Sequence, residues 1–164
     1  MNSAHTTLVQ KLAGQAIAAD VVIATAESCT GGLISAALTD IAGSSAFFDR
    51  AFITYSNDAK MELLGVTDET LSEQGAVSGA TVAQMAQGAL VRSNATLAVA
   101  VSGVAGPDGG TDSKPVGTVW IAWASDRNAY TRHFLFAGDR ASVREQTVTE
   151  ALRGLIRCIE TEAI

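Results

Sequence analysis

The sequence predicts an α/β fold, a three-layer α/β/α sandwich on a mixed, largely parallel sheet with a late β-hairpin. Three observations predict it. Residues 21–24 and 97–101 are short, continuously apolar runs, as strands covered on both faces are. Around them, apolar residues recur at helical spacing. Near the end, two strand-like segments flank the turn Ser125-Asp126-Arg127-Asn128. The chain of 164 residues is one-domain length, and its 48% hydrophobic against 17% charged residues suit a packed core. A single domain over residues 1–164 is therefore expected. Aromatics make up only 5%, while Ala, Val and Gly abound, which lets helices sit closely on a sheet.

Taken in order, residues 4–19 read as a helix with Leu8, Leu12 and Ile17 roughly along one face. The strand at 21–24 leads through a turn to a helix over 31–42, carrying Leu33, Ile34, Ala37, Leu38 and Ile41. Residues 46–55, rich in aromatic and β-branched types, form the next strand. A short helix over 58–64 is stopped by Gly65, and Thr67 caps another. Ser78 begins a longer helix with Val82, Met85, Ala86, Ala89 and Leu90 inward. After the strand at 97–101 comes a glycine-rich loop, 103–117, then the hairpin strands 118–124 and 129–136. The last helix starts near Asp139 and turns Val148, Ala151, Leu152, Leu155 and Ile159 to the core.

Several function classes are disfavoured at once. A net charge of −6 without a Lys/Arg cluster argues against nucleic acid as a partner. No run of roughly 18 apolar residues can span a bilayer, so no membrane association is expected. Residues 1–10 are polar and lack a secretory pattern, and Cys29 and Cys158 have no metal-type spacing. Free thiols in the cytoplasm are the expectation. Neither His-x-x-x-His nor Cys-x-x-Cys occurs, so no metal and no cofactor is expected. A homo-oligomer is compatible with the sequence, which does not fix the oligomeric state.

The chemistry gathers around Ala26-Glu27-Ser28-Cys29-Thr30-Gly31-Gly32, between a buried strand and a helix. A serine there is a candidate nucleophile, and a helix start offers N–H donors for an anion or oxyanion. Gly31 and Gly32 let a substrate approach the backbone. A Ser28 or Thr30 that merely caps the helix fits the same pattern. Cys29 is a rival nucleophile but reads equally as a small buried filler. The two histidines offer no clear partner, His5 lying in a fraying N-terminal stretch and His133 inside a strand, so a Ser-His-Asp triad is disfavoured.

Lys60, closing Thr54-Tyr55-Ser56-Asn57-Asp58-Ala59-Lys60, is the better base. Ser–Lys pairing needs a neutral amine, its pKa brought from about 10.4 toward about 7–8. A solvated helix lysine is the bland alternative. Tyr55 and Asn57 are then substrate contacts or loop hydrogen bonders. The loop Ser102-Gly103-Val104-Ala105-Gly106-Pro107 leaves the end of a buried strand and should share a cleft with Ser28. It matches neither Walker A nor Gly-x-Gly-x-x-Gly, but its amides and nearby Lys114 suit an anion. Arg140 and Arg144, four apart on the last helix, form a possible phosphate or carboxylate clamp, or else pair with Asp139 and Glu145 at the surface.

These segments, with Gly75-Ala76-Val77-Ser78, Lys114-Pro115-Val116-Gly117 and Gly138-Asp139-Arg140 in the same order, closely resemble the C-terminal domain of the CinA (competence/damage-inducible) family and its stand-alone nicotinamide-nucleotide amidases. The resemblance spans residues 8–159. It implies hydrolysis of nicotinamide mononucleotide, a small-molecule nucleotide, to nicotinic acid mononucleotide and ammonia by a metal-free serine amidase. Ser28 matches the family's nucleophile and Lys60 its general base. Tyr55, Ser102 and Arg140 match positions expected to face substrate. Backbone N–H groups near Cys29 and Thr30 are expected to hold the oxyanion. Two departures stand out: Ser102 replaces a commoner threonine, and Arg50 replaces a glycine. Larger relatives carry a molybdopterin-binding-like domain whose activities are not expected here. A nucleotide-binding module without turnover, or a competence or DNA-damage accessory, are the rival readings.

Overall fold

A computed structural model describes residues 3–161. Its elements are α1 (Ser3–Ala18), β1 (Ile23–Glu27), α2 (Leu33–Thr39), a 3-10 turn (Ser44–Ala46), β2 (Phe48–Ile53), α3 (Asn57–Leu64), α4 (Asp68–Gln74), α5 (Gly79–Val91), β3 (Leu97–Gly103), β4 (Thr118–Ala124), β5 (Ala129–Leu135) and α6 (Arg140–Thr161). The five strands form one sheet in the order β2-β1-β3-β4-β5. β1 pairs in parallel with β2 and β3, whereas β3–β4 and β4–β5 are antiparallel. The sheet is thus mixed, with β4 alone running against the other four. "Largely parallel" describes the strand directions but not the pairings, because the late hairpin adds two antiparallel ones.

Two apolar layers sandwich the sheet. On one face, α1, α2 and α6 pack Leu12, Ile34, Leu38, Leu152 and Leu155 against Ile23, Val99, Val101, Ile121 and Trp123. On the other, α3, α4 and α5 pack Leu64, Leu71, Val82 and Met85 against Ala24, Ala26, Ala98, Ala100 and Ala122. The alternation is the two-residue pleat, with bulky residues facing one layer and alanines the other. The alanine face lets α5 lie close to the strands.

Several boundaries differ from those the sequence predicts. β1 begins two residues later and ends on Thr25-Ala26-Glu27, all buried although two are polar. α2 is shorter than expected because Gly31 and Gly32 adopt φ of 58° and 103°, outside the helical region. The strand expected over 46–55 is confined to Phe48–Ile53, so Thr54 and Tyr55 lie beyond it. His5 is not frayed. It is buried on α1 and its Nε2 lies 2.9 Å from Thr149 Oγ1 of α6. The capping hydroxyls sit as expected: Thr67 accepts from Thr70 N–H and Ser78 from Thr81 N–H.

Chain order sets the place of the site. From β1 the chain steps to β2 on one side, and β3 then returns to the other. Ligands of open α/β sheets bind at such a reversal, outside the carboxyl ends of the strands. Ser28 follows β1 there, and the glycine-rich loop follows β3.

Candidate active site

Lys60 lies 1% exposed on α3, and its Nζ is 3.1 Å from Ser28 Oγ. Nζ also donates to the main-chain carbonyls of Thr54 at 2.9 Å and Tyr55 at 3.3 Å. Local sequence produces this placement. The Ser56 hydroxyl accepts from Ala59 N–H and starts α3, and Gly65, with φ of 71°, ends it. One helical turn thus projects Lys60 back under the loop that precedes its own helix. Burial pushes the Lys60 amine below its ordinary value, since the charged form has lost its water.

The turn carrying Ser28 is held from beneath by Glu27, a residue the sequence reading passed over. Its carboxylate is fully buried and accepts five hydrogen bonds. Oε2 takes Thr30 Oγ1 at 2.7 Å and the N–H groups of Gly32 and Ile34 at 3.0 Å. Oε1 takes Ser35 N–H at 2.8 Å and Thr25 Oγ1 at 3.2 Å. Gly32, at the N-cap of α2, has no side chain to do this. The expectation that the helix start itself stays free for a substrate anion is therefore corrected: Glu27 already occupies it. A signal existed, because an acidic residue just before a helix is a common donor trap. Its position on a strand concealed it.

The remaining donors of the turn are accounted for in sequence. Ser28 N–H reaches Val101 O, Gly31 N–H reaches Ser28 O, and Leu33 N–H reaches Thr30 O. Among the described residues, the N–H groups of Cys29 and Thr30 are the ones in this stretch that reach no other residue, and Cys29 N–H lies against its own thiol. Thr30 is completely buried, whereas Cys29 keeps 5% of its surface. Burial raises the Cys29 thiol to about 11, so at neutral pH it is a protonated filler rather than a thiolate.

The two arginines do not form one clamp. Arg144 is spent on the turn, Nε donating to Cys29 O at 3.1 Å and Nη2 to Thr30 O at 3.0 Å. Arg140 bridges the mouth of the cleft, Nη1 donating to Gly106 O at 2.8 Å and Nη2 to Tyr55 Oη at 3.0 Å. Neither pairs with Asp139, whose carboxylate instead accepts from Ser142 and caps α6. Lys114 is likewise engaged, its Nζ donating to Gln74 O at 2.6 Å, which removes it from an anion nest in the glycine-rich loop.

Ser102 is buried near the end of β3, one strand from Ser28. Gly103 sits where a Cβ would press into Val119 and the Thr118 carbonyl, so it serves close strand packing. Gly31 is exposed beside the turn, with the Arg144 guanidinium alongside. Tyr55 is 60% exposed at the mouth, and Asn57 is exposed on the first turn of α3. Arg50, on edge strand β2, pairs with Asp49 and donates to Arg92 O, away from the cleft. A cavity of about 870 Å³ lies at the opposite end of the sheet, against Val21, Leu97 and Cys158. It shares no residue with the Ser28 cleft.

The family described as the CinA C-terminal domain matches residues 5–159. The chain belongs to the CinA C-terminal domain family. Within it, the chain is 54% identical over 144 residues to a nicotinamide-nucleotide amidohydrolase PncC of Escherichia coli (strain K12), covering 87% of each chain. A Pseudomonas putida protein of the same name is 48% identical over 152 residues, covering 93% of this chain and 95% of that one. A CinA-like protein of Akkermansia muciniphila is 49% identical over 146 residues, which are only 35% of its length. Among solved structures, competence/damage inducible protein CihA from Agrobacterium tumefaciens superposes with a TM-score of 0.92 at 47% identity, covering 94% of both chains. A CinA superfamily protein from Klebsiella pneumoniae gives 0.93 at 40% identity, covering 96% and 98%. Among the described residues, no helix of this CinA-family chain is long and apolar enough to cross a membrane.

Proposed function

We propose that the chain is an amidohydrolase that converts nicotinamide mononucleotide to nicotinic acid mononucleotide and ammonia through a Ser28 acyl-enzyme, with Lys60 as general base. The observation that carries the reading is the 3.1 Å approach of Lys60 Nζ to Ser28 Oγ inside a buried, carbonyl-lined niche. The names borne by its full-length relatives supply the substrate.

The niche suits a neutral amine. Two N–H bonds of an uncharged Lys60 satisfy Thr54 O and Tyr55 O, which leaves the lone pair facing Ser28. Ser28 Oγ attacks the carboxamide carbon, the C–O bond forms, and its proton passes to Nζ. The developing oxyanion is met by Cys29 N–H, which follows the nucleophile and whose partner is its own thiol, a weak acceptor. As the C–N bond breaks, the Lys60 ammonium returns the proton to departing ammonia. Water then opens the ester with Lys60 again as base. Arg140, which holds the Gly106 carbonyl with one nitrogen and reaches the exposed Tyr55 hydroxyl at the mouth with another, is the group assigned to the 5′-phosphate.

Ammonia release from nicotinamide mononucleotide by wild type, Ser28→Ala and Lys60→Ala tests this. Wild-type turnover is expected, with losses on the order of 10⁴-fold or more in both variants. An inert wild type would return the chain to a binding module or accessory protein. Full activity in Ser28→Ala would remove the acyl-enzyme.

A further inference from the structure

We propose that Glu27 is a positioning residue for the oxyanion donor, acting through the turn rather than on the substrate. The inference rests on the amidase reading above. Every N–H from Ser28 to Ala36 has an acceptor on another described residue except those of Cys29 and Thr30, and Cys29 N–H meets only its own thiol. Three of those hydrogen bonds end on the two oxygens of one carboxylate, so Glu27 decides where the N–H groups of Gly32, Ile34 and Ser35 point. Its bond to the Thr30 hydroxyl fixes the residue immediately before the two glycines.

Gly31 and Gly32 make that control necessary. Both have positive φ and neither carries a Cβ, so this segment has more freedom than any other next to Ser28. Without an anchor, the Cys29–Thr30 peptides could rotate and take up the unsatisfied donors of α2's first turn. Arg144 supplies the opposing tether. It draws the Cys29 and Thr30 carbonyls toward α6. In a trans peptide the N–H points opposite to the C=O, so pinning a carbonyl also sets the N–H of the following residue: Arg144 on the Cys29 carbonyl sets Thr30 N–H, and Gly31 N–H on the Ser28 carbonyl sets Cys29 N–H. A carboxylate on one side and a guanidinium on the other thus clamp the turn without either reaching the cleft. A neutral side chain of the same shape cannot replace the carboxylate, because five donors converge on it and an amide nitrogen accepts none of them.

Steady-state ammonia release by Glu27→Gln, measured across pH beside wild type and Ser28→Ala, tests the assignment. Loss of an aligned oxyanion donor is expected to lower kcat by about 100-fold. KM should stay within about twofold, and the pH at which the rate rises should not move, because Lys60 keeps its carbonyl partners. A folded Glu27→Gln with kcat within about threefold of wild type overturns the proposal. A shifted pH midpoint also overturns it, since Glu27 would then act through its charge on Lys60. If Glu27→Gln does not fold, Thr30→Val removes one of the five donors and decides the matter: reduced kcat at constant KM supports the proposal, and full rate overturns it. An inert wild type removes the amidase reading and this proposal together. An active wild type with an unimpaired variant removes this proposal alone.

Discussion

Lys60 is unusual among lysines in having no carboxylate partner among the described residues while being almost fully buried. Its depressed pKa has a definite sign for stability. In the window between the folded value and the ordinary 10.5, the unfolded chain holds a proton that the folded chain has released. Stability from this group is therefore fully present above 10.5 and is lost as pH falls through the folded value. Against a Lys60→Met control, the wild-type urea midpoint should fall progressively as pH is lowered across that window. The proposed ammonia release should stay level across that window and drop only as pH falls through the folded value, where the lone pair is lost. At this scale the sequence was informative about the Ser28–Lys60 contact, since a poverty of histidine pointed to lysine as the candidate base. It was silent on Glu27 and misleading on Arg144. Both residues act through main-chain groups, and no pattern of side-chain types reveals which carbonyl or N–H a side chain will reach.

Elements were legible where their periodicity is apolar, and less so where buried polar groups finish them. The strands 118–124 and 97–101 stood out because continuous or alternating apolar residues mark them. The polar end of β1 did not, since Thr25 and Glu27 are buried only by virtue of their hydrogen bonds. α3 shows a further dependence. A Cβ on Gly88 of α5 would meet the Leu64 carbonyl of α3 at less than contact distance. That obstacle is backbone, so it cannot turn aside. Gly88→Ala should destabilise the protein by about 1–3 kcal/mol in urea unfolding, the usual cost of overpacking. It should also lower kcat, because displacing α3 carries Lys60 away from Ser28, and separations near 1 Å are enough to matter.

For the whole molecule, chain order and layer packing place the site more firmly than any single motif. The fold class followed from alternating helices and strands, and the hairpin accounts for the antiparallel half of the pairings. The sheet order was not legible, because apolar strands do not specify their neighbours. α6 ties the layers together. Trp123 Nε1 donates to Ala151 O at 3.1 Å, and a Cβ on Gly154 would collide with the Trp123 ring. Gly154→Ala should therefore lift α6 from the sheet and cost about 1–3 kcal/mol, read as a lower urea midpoint. The effect should extend to the far end of the helix, where Arg140 and Arg144 are seated.

The 3.1 Å contact has one more consequence. Ser28 is braced from the α2–α6 side of the sheet by Glu27 and Arg144, whereas Lys60 arrives from the α3–α5 side. The proposed nucleophile and base are thus the two jaws of a calliper closed across the sheet's carboxyl edge. A compact state that kept its helices but let the two layers drift would look folded by circular dichroism and be chemically dead. On the proposed mechanism, turnover gauges the spacing of the sandwich, at a finer scale than any measure of secondary structure.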